Sequence, residues 1–525
     1  MHLTAVLACA GLVTGCYAAL SPSPASAAPT RYEAEASPAV CTGAIESNWA
    51  GYSGTGFCNA DNATGAHVQF TVNASAAGAA TLGIRFANGT TTSRPAGLIV
   101  NGSTVQSLSF EGTGAWSAWA TKTATVQLKA GSNTITLDPT GSAGLPNLDH
   151  LDVEAGGQQQ ASALYVATDG DDTGPGTLAA PLRTIQRAVD LAQPGDTIFI
   201  RGGTYAPSTN IQLLKNGTPG QPITMTAYNR ERVVIDGENM PYTPGAVGSS
   251  IPRAERGAVH IEGDHWRLAG LEIVHGPYGI FGLDAAGSVF DRLITRDNYE
   301  SGLHLQGASS DNLILNLDSY GNRDPRKNGE SADGVAIKEG SGGGNVIRGA
   351  RLWNNSDDGL DFWMFLGAVT VESSVAWGNG FNRWNLPDYT GDGNGFKLGG
   401  GDPDPAVGHV VRNSIAYDNA VDGFTDNGNP GRLVTDRSTA WRNGGTGFDY
   451  ADSVSVLTRN LSVANRTQAA LGSSSGSGNS WDLGGTWTFT STDASTFTGP
   501  RAADGSIPSS SFLRPSNGAD LGARF

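Results

Sequence analysis

Seven asparagines recur through the C-terminal part of the chain, at Asn298, Asn322, Asn355, Asn379, Asn419, Asn443 and Asn465. Several close a short β-prone apolar run such as VTVESSVAW or HVVRNSIAY. Their separations are 24, 33, 24, 40, 24 and 22 residues. A basic unit of about two dozen residues, rich in Val, Ile, Gly and Asn, is too short for a helical hairpin and matches one coil of a solenoid of stacked strands. No amphipathic helical period competes with it. The asparagines themselves read as a structural ladder of side-chain amides, hydrogen-bonded from coil to coil.

In four units a glycine follows its asparagine by four residues: Gly302, Gly359, Gly423 and Gly447. Glycine there is expected to supply a positive φ at the turn between strands. In the two long units the matching glycines come late, at Gly334 and Gly395, so the added residues lie just before them. Insertions in solenoid coils become loops on one face, often the binding face. Aligned on these glycines, the preceding residues are Ser301, Asp333, Asp358, Asn394, Asp422 and Thr446. The residues two positions after are His304, Ala336, Asp361, Lys397, Thr425 and Asp449. Equivalent positions on adjacent coils lie roughly 4.8 Å apart. The alignment therefore predicts Asp333 beside Asp358, and Asp361 beside Lys397.

Asp357, Asp358 and Asp361 belong to NNSDDGLDFW, and Asp333 joins them from the preceding coil. Carboxylates crowded on one face repel unless a cation neutralises them. Oxygen ligands without Cys or His favour calcium. An isolated DDG would read as a solvated turn, but the register match to Asp333 and Lys397 favours the metal. Lys397 lies in GDGNGFKLGG, where its ammonium can face the aspartates. A lysine is a general base only if its proton is made labile, and bound calcium and partial burial both push that way. A plain salt bridge from Lys397 to Asp361 remains the alternative.

GESADG, NNSDDGLDFW and GDGNGFKLGG resemble, at matching separations, the signature segments of the pectate lyases of polysaccharide lyase family nine. The resemblance runs from about residue 164 to the C-terminus. It implies an all-β chain whose catalytic domain, 164–525, is a right-handed parallel β-helix. It implies that Asp333, Asp357, Asp358 and Asp361 bind a catalytic Ca2+ and that Lys397 is the Brønsted base. The reaction would be β-elimination on 4-linked polygalacturonate, the pectin of plant cell walls. Loss of the proton on carbon five and departure of the oxygen on carbon four would leave an unsaturated uronate. A base that must be unprotonated predicts activity rising toward alkaline pH. Two alternatives stay open: a lyase for another uronan such as alginate, and a non-catalytic β-helical polysaccharide-binding protein.

The formal charge of −16 over 525 residues argues against nucleic acid as a partner and sits awkwardly with a polyanionic substrate unless a cation bridges them. The inserted loops carry Arg323, Arg326, Lys327, Arg383 and Trp384, with Lys338 just beyond Asp333. These could hold flanking carboxylates and stack on a sugar ring, or lie on a solvated surface.

Residues 1–27 read as a signal peptide, with an apolar stretch over 3–13 and an Ala-x-Ala pattern at Ala25, Ser26 and Ala27. A charged leader is missing, and LVTGC ending at Cys16 resembles a lipoprotein box, an alternative to release outside the cell. No later stretch is apolar enough to span a membrane. Loss of Cys9 and Cys16 with the signal leaves Cys41 and Cys58, most simply one disulfide in a secreted chain. A monomer is the expectation for a solenoid with capped ends.

From 30 to 155 the style changes to alternating strands such as HVQFTV and ATLGIRF, which predict a small antiparallel β-sandwich. YEAE, GYSGTGF and PNLDHLDV resemble carbohydrate-binding module family thirty-five. That resemblance implies a structural calcium near Glu33, Glu35 and Asp149, and a sugar contact at Asn147. Residues 156–163 have a linker's composition. Beyond them an amphipathic helix with Ile185, Ala188, Val189 and Ala192 on one face is expected to cap the β-helix, and Asp169, Asp171 and Asp172 read as a turn. LGSSSGSGNSWDLGG reads as a flexible turn, after which the tail folds back over the last coils.

Overall fold

The computed structural model describes residues 29–63, 65–74, 78–155 and 162–525, and the chain divides into the units Met1–Gln159 and Gln160–Phe525. The expected signal segment, Cys16 and linker residues 156–161 lie outside the described residues. In the first unit, alternating apolar residues build two antiparallel sheets of six and five strands. Strand Val68–Ala74, for example, buries Val68, Phe70, Val72 and Ala74 in turn, as a period of two on a half-buried face requires. A disulfide joins Cys41 in the five-stranded sheet to Cys58 in the six-stranded one.

The second unit is a parallel β-helix of three sheets, with twelve, ten and ten strands. Its inward columns are apolar. In the third sheet, Leu303, Val335, Leu360, Phe396, Phe424 and Phe448 follow one another in register, all fully buried. The phenylalanines stack with ring centroids 4.8 and 4.9 Å apart, close to the strand spacing itself. The helix Ile185–Leu191, capped by Thr184, buries Ile185, Ala188 and Val189, with Ala192 just beyond, against the first coils. The expected turn also forms: Asp171 accepts from the Thr173 amide and Asp172 from the Arg183 and Thr184 amides.

The asparagine ladder is continuous. Each Nδ2 from Asn298 to Asn443 donates to the next Oδ1 at 2.8–3.0 Å, across spans of 24, 33, 24, 40, 24 and 22 residues. The left-handed bend lies immediately before each asparagine, at Asp297, Gly321, Asn354, Gly378, Asp418, Arg442 and Ala464. This corrects the expectation for Gly302, Gly334, Gly359, Gly395, Gly423 and Gly447, none of which has a positive φ. Glycine is required there by close approach. A Cβ on Gly423 would stand 2.6 Å from the Gly447 carbonyl oxygen and 2.9 Å from the Asn443 amide nitrogen. Gly423→Ala is therefore expected to cost about 1–3 kcal/mol by overpacking. Gly343→Ala, with nothing within 4 Å of the new atom, should leave thermal unfolding unchanged, and calorimetry of the pair checks the account.

Two further expectations are corrected. LGSSSGSGNSWDLGG is not a flexible turn: Ser475–Ser477 is the last strand of the first sheet, and Ser480–Leu483 is a helical turn with an Asn479–Asp482 capping box. The tail does not stop at the last coils. Phe497, Phe512 and Leu521 cover an outer ridge that includes Trp377, Tyr417 and Trp441. Arg501 reaches Asp318 at 2.6 Å, several coils back. Apolar area decides this, because the ridge would otherwise face water.

Candidate active site and metal centre

The outward neighbours of the phenylalanine column form the site. Strand alternation puts His304, Ala336, Asp361, Lys397, Thr425 and Asp449 in one register row, on the face opposite the core. The two inserted loops cover this row, joined where the Thr390 amide donates to the Asn328 carbonyl at 3.0 Å. The second loop also clamps the acidic run. The Asp392 amide donates to Asp357 at 2.7 Å, and the Asn394 amide and side chain donate to Asp358 at 2.6 and 3.0 Å.

Asp333, Asp357, Asp358 and Asp361 are all buried, each offering a carboxylate oxygen within 4.8 Å of the others. Lys338 Nζ lies 2.9 Å from Asp333 and 2.6 Å from Asp361. Lys397 Nζ lies 3.4 Å from both Asp358 and Asp361, and 2.6 Å from Asp392. Asp358 Oδ2 is buried without a hydrogen bond among the described residues, 3.4 Å from Lys397, while Asp361 Oδ2 is paired with Lys338 at 2.6 Å. A buried oxygen without a hydrogen bond, an all-carboxylate donor set and no nitrogen or sulfur ligand fit a hard cation such as calcium.

The electrostatics follow. Burial raises Asp333 to about 6 and Asp358 to about 7, and drives Asp357 well above the carboxylate range. Asp361 is buried too, but Lys338 and Lys397 overcome that and hold it below its ordinary value. Burial opposes the charge on Lys397, yet Asp361, Asp358, Asp357 and Asp392 outweigh it and bind its proton firmly. Lys338 is held charged in the same way by Asp333 and Asp361.

A cavity of about 570 Å³ opens over this cluster, with Tyr278, Lys327, Lys338, Asp361, Trp363 and Lys397 on its walls. Arg323, Arg383 and Trp384 do not line it. Arg323 lies over the Tyr299 ring at 4.4 Å, and Arg383 over Phe381 at 5.1 Å, while Trp384 is half-buried in its own loop. Arg326 is consumed in a buried pair with Glu300. Asp392 stands inside GDGNGFKLGG at a position with no counterpart in the repeat, and its 2.6 Å contact with Lys397 is what marks it. Arg256, also on the cavity wall, and Trp363 carry no repeat signal at all.

A family model described as the Pel9A-like right-handed β-helix region matches residues 164–470, more than half of the chain. The chain belongs to this family, polysaccharide lyase family nine. A model of carbohydrate-binding module family 35 matches residues 30–156. The family-nine relative Pectate lyase PEL9 of Emericella nidulans is 50% identical over 388 residues, 69% of this chain and 94% of its own length. The crystal structure of pectate lyase Pel9A aligns with a TM-score of 0.60 at 31% identity, over 69% of this chain and 90% of that one. A rhamnogalacturonan lyase aligns with a TM-score of 0.58 at 26% identity, over 69% and 99%. As a family-nine protein the chain is a polysaccharide lyase, all-β, with a right-handed helix.

In the family-35 module, Glu33 and Asp149 converge with His150. Ser53 ties them, its hydroxyl 2.8 Å from Glu33 and its amide 3.0 Å from Asp149, and Arg85 stands 3.0 Å from Asp149. Glu35 turns to the Thr55 amide at 2.7 Å and keeps Oε2 buried without a hydrogen bond among the described residues. Asn147 is buried opposite Ala87.

Proposed function

We propose that the protein is a secreted, calcium-dependent pectate lyase that cleaves 4-linked polygalacturonate by β-elimination, with Lys397 as base. The seat of Lys397 carries this reading: its Nζ is 3.4 Å from two of the four clustered aspartates, on the wall of the cavity of about 570 Å³. Family membership and relatives named pectate lyase support it. Among the described residues no helix is long and apolar enough to cross a membrane, and residues 1–27 have the pattern of an export signal.

Asp333, Asp357, Asp358 and Asp361 would hold the calcium. When bound, calcium supplies positive charge that offsets the aspartate field and stabilises negative charge developing beside the substrate carboxylate. Lys397 Nζ takes the proton from carbon five. The electron pair left there forms the double bond between carbons four and five, and the glycosidic oxygen leaves carbon four. Asp392, 2.6 Å from Nζ, aims the amine. Lys338, which pairs with Asp333 and Asp361, would turn toward a uronate carboxylate only where calcium takes over those two oxygens. Glu33, Glu35 and Asp149 would hold a structural calcium in the binding module, with Asn147 as a sugar contact. Because the working base is a neutral amine, activity should rise toward alkaline pH.

The test is ultraviolet absorbance of the unsaturated product from polygalacturonate, with calcium and then with chelator. Absorbance that chelator abolishes is the expected result; reducing ends without absorbance would mean hydrolysis and overturn the reading. The likeness to a rhamnogalacturonan lyase favours one second reading, a lyase for another uronate-containing polymer. Absorbance from rhamnogalacturonan or alginate, with none from polygalacturonate, would select it.

A further inference from the structure

The cations on the cavity wall fall into two groups. Lys338 and Lys397 are locked in ion pairs with the aspartate cluster. Arg256 and Lys327 also line the cavity, and among the described residues neither forms a salt bridge. Lys327 donates to the Ser331 hydroxyl at the loop's edge. Arg256 is held more tightly. Its Nε donates to the Ile251 carbonyl at 3.3 Å, its Nη1 donates to Gln306 at 3.2 Å, and its guanidinium lies 5.4 Å from the centre of the Phe281 ring. That leaves a guanidinium fixed in orientation and without a salt bridge among the described residues, with the acidic Glu339 held one residue away through Gln306, an arrangement suited to a planar carboxylate.

Beside it stands His304. The imidazole stacks on the same Phe281 ring, centroids 5.1 Å apart, and meets the edge of Tyr278 at 5.4 Å. It is 7% exposed, lines the cavity, and its Nε2 hydrogen-bonds nothing among the described residues. A buried, unsatisfied ring nitrogen costs on the order of 1–3 kcal/mol, which a ligand hydroxyl or carboxylate would recover. In the register row His304 precedes Ala336, and Ala336 precedes Asp361. Two strand spacings, roughly 10 Å, therefore separate it from Asp361, and three, roughly 14 Å, from Lys397. The sugar losing its proton at Lys397 does not extend that far; its neighbour along the polymer does.

We propose that Arg256 and His304 form a second carboxylate subsite, which takes a neighbouring uronate of the chain and selects against its methyl ester. The Arg256 guanidinium receives the carboxylate, and His304 hydrogen-bonds the carboxylate or the adjacent hydroxyl. Esterification at that sugar removes the charge and one acceptor, leaving Arg256 desolvated without a partner. The inference rests on the uronan-lyase reading above and adds where a second carboxylate is recognised.

The experiment compares wild type, Arg256→Gln, Arg256→Lys and His304→Gln on polygalacturonate and on highly methyl-esterified pectin, by product absorbance with saturating calcium. For Arg256→Gln the expected KM on polygalacturonate rises about 10-fold, while kcat changes by less than about 3-fold. Its preference for unesterified over esterified substrate should fall by a similar factor. Arg256→Lys should recover part of the preference, since it keeps the charge and loses the fork. His304→Gln should show a smaller rise in KM. A merely structural role for Arg256 predicts lower thermal stability with the ester preference intact, and that outcome overturns the subsite. Unchanged KM in both Arg256 variants overturns it too. Absence of product with wild type on every uronan would instead count against the lyase reading itself, so the two failures are distinguishable.

Discussion

Lys397→Ala is expected to lower kcat by about 10²–10⁴-fold, the range that a positioned general base contributes. The more telling variant is Lys397→Arg. Arginine keeps the positive charge and can pair with Asp358, Asp361 and Asp392, which lie 2.6–3.4 Å from the native ammonium. It does not give up a proton in a protein, so it has no lone pair for the substrate. If Lys397 is the base, both variants lose activity alike while folding normally and binding calcium within a few-fold of wild type. If Lys397 only balances the aspartates, arginine restores most of the rate and alanine does not. Initial rates of product absorbance, with thermal unfolding and calcium calorimetry on the same preparations, separate the two outcomes.

Asp361→Asn and Asp358→Asn are each expected to weaken calcium binding by more than the roughly 10–100-fold that loss of an outer-shell partner costs. Calorimetry or terbium luminescence reads this without reference to activity. Asp361 sits between Lys338 at 2.6 Å and Lys397 at 3.4 Å. Its loss leaves two buried ammonium groups short of a partner, which should also lower the stability of the calcium-free chain. The same cluster gives a pH dependence. Burial raises Asp333 to about 6 and Asp358 to about 7, above the unfolded carboxylate range. Groups with a raised folded pKa contribute stability that is full at low pH and lost as pH rises through 6 and 7. The calcium-free chain should therefore lose stability across that window, and calcium should restore it. Calcium uptake below neutrality should release protons, so affinity climbs with pH. Affinity independent of pH from 5 to 8, and unchanged in both variants, would show that these aspartates are not the ligands.

Much of the site was legible because a solenoid turns three-dimensional adjacency into a one-dimensional register. Aligning glycines put Asp361 next to Lys397, and the two residues are paired on neighbouring strands. The same alignment misread the reason for the glycines. Positive φ is the commoner use of the residue, whereas close approach to the asparagine ladder appears only when the coils are stacked. Arg323, Arg383 and Trp384 lie in the inserted loops, but membership of a loop says nothing of which way it folds. Arg323 turns onto Tyr299 and Arg383 onto Phe381, where cation and ring satisfy each other.

The sequence by itself determined the coil length, the ladder, the acidic row and its lysine, because these depend on spacing alone. It also determined the change of style near residue 156, since a period of two with tight turns differs from a long repeat in any context. Tertiary structure alone decided the rest. Asp392 comes within 2.6 Å of Lys397 because the loop bends back over the strand. Arg256 and His304 meet on one phenylalanine from different coils. The C-terminal tail runs along the aromatic ridge because only the stacked coils create a continuous apolar surface for it to cover.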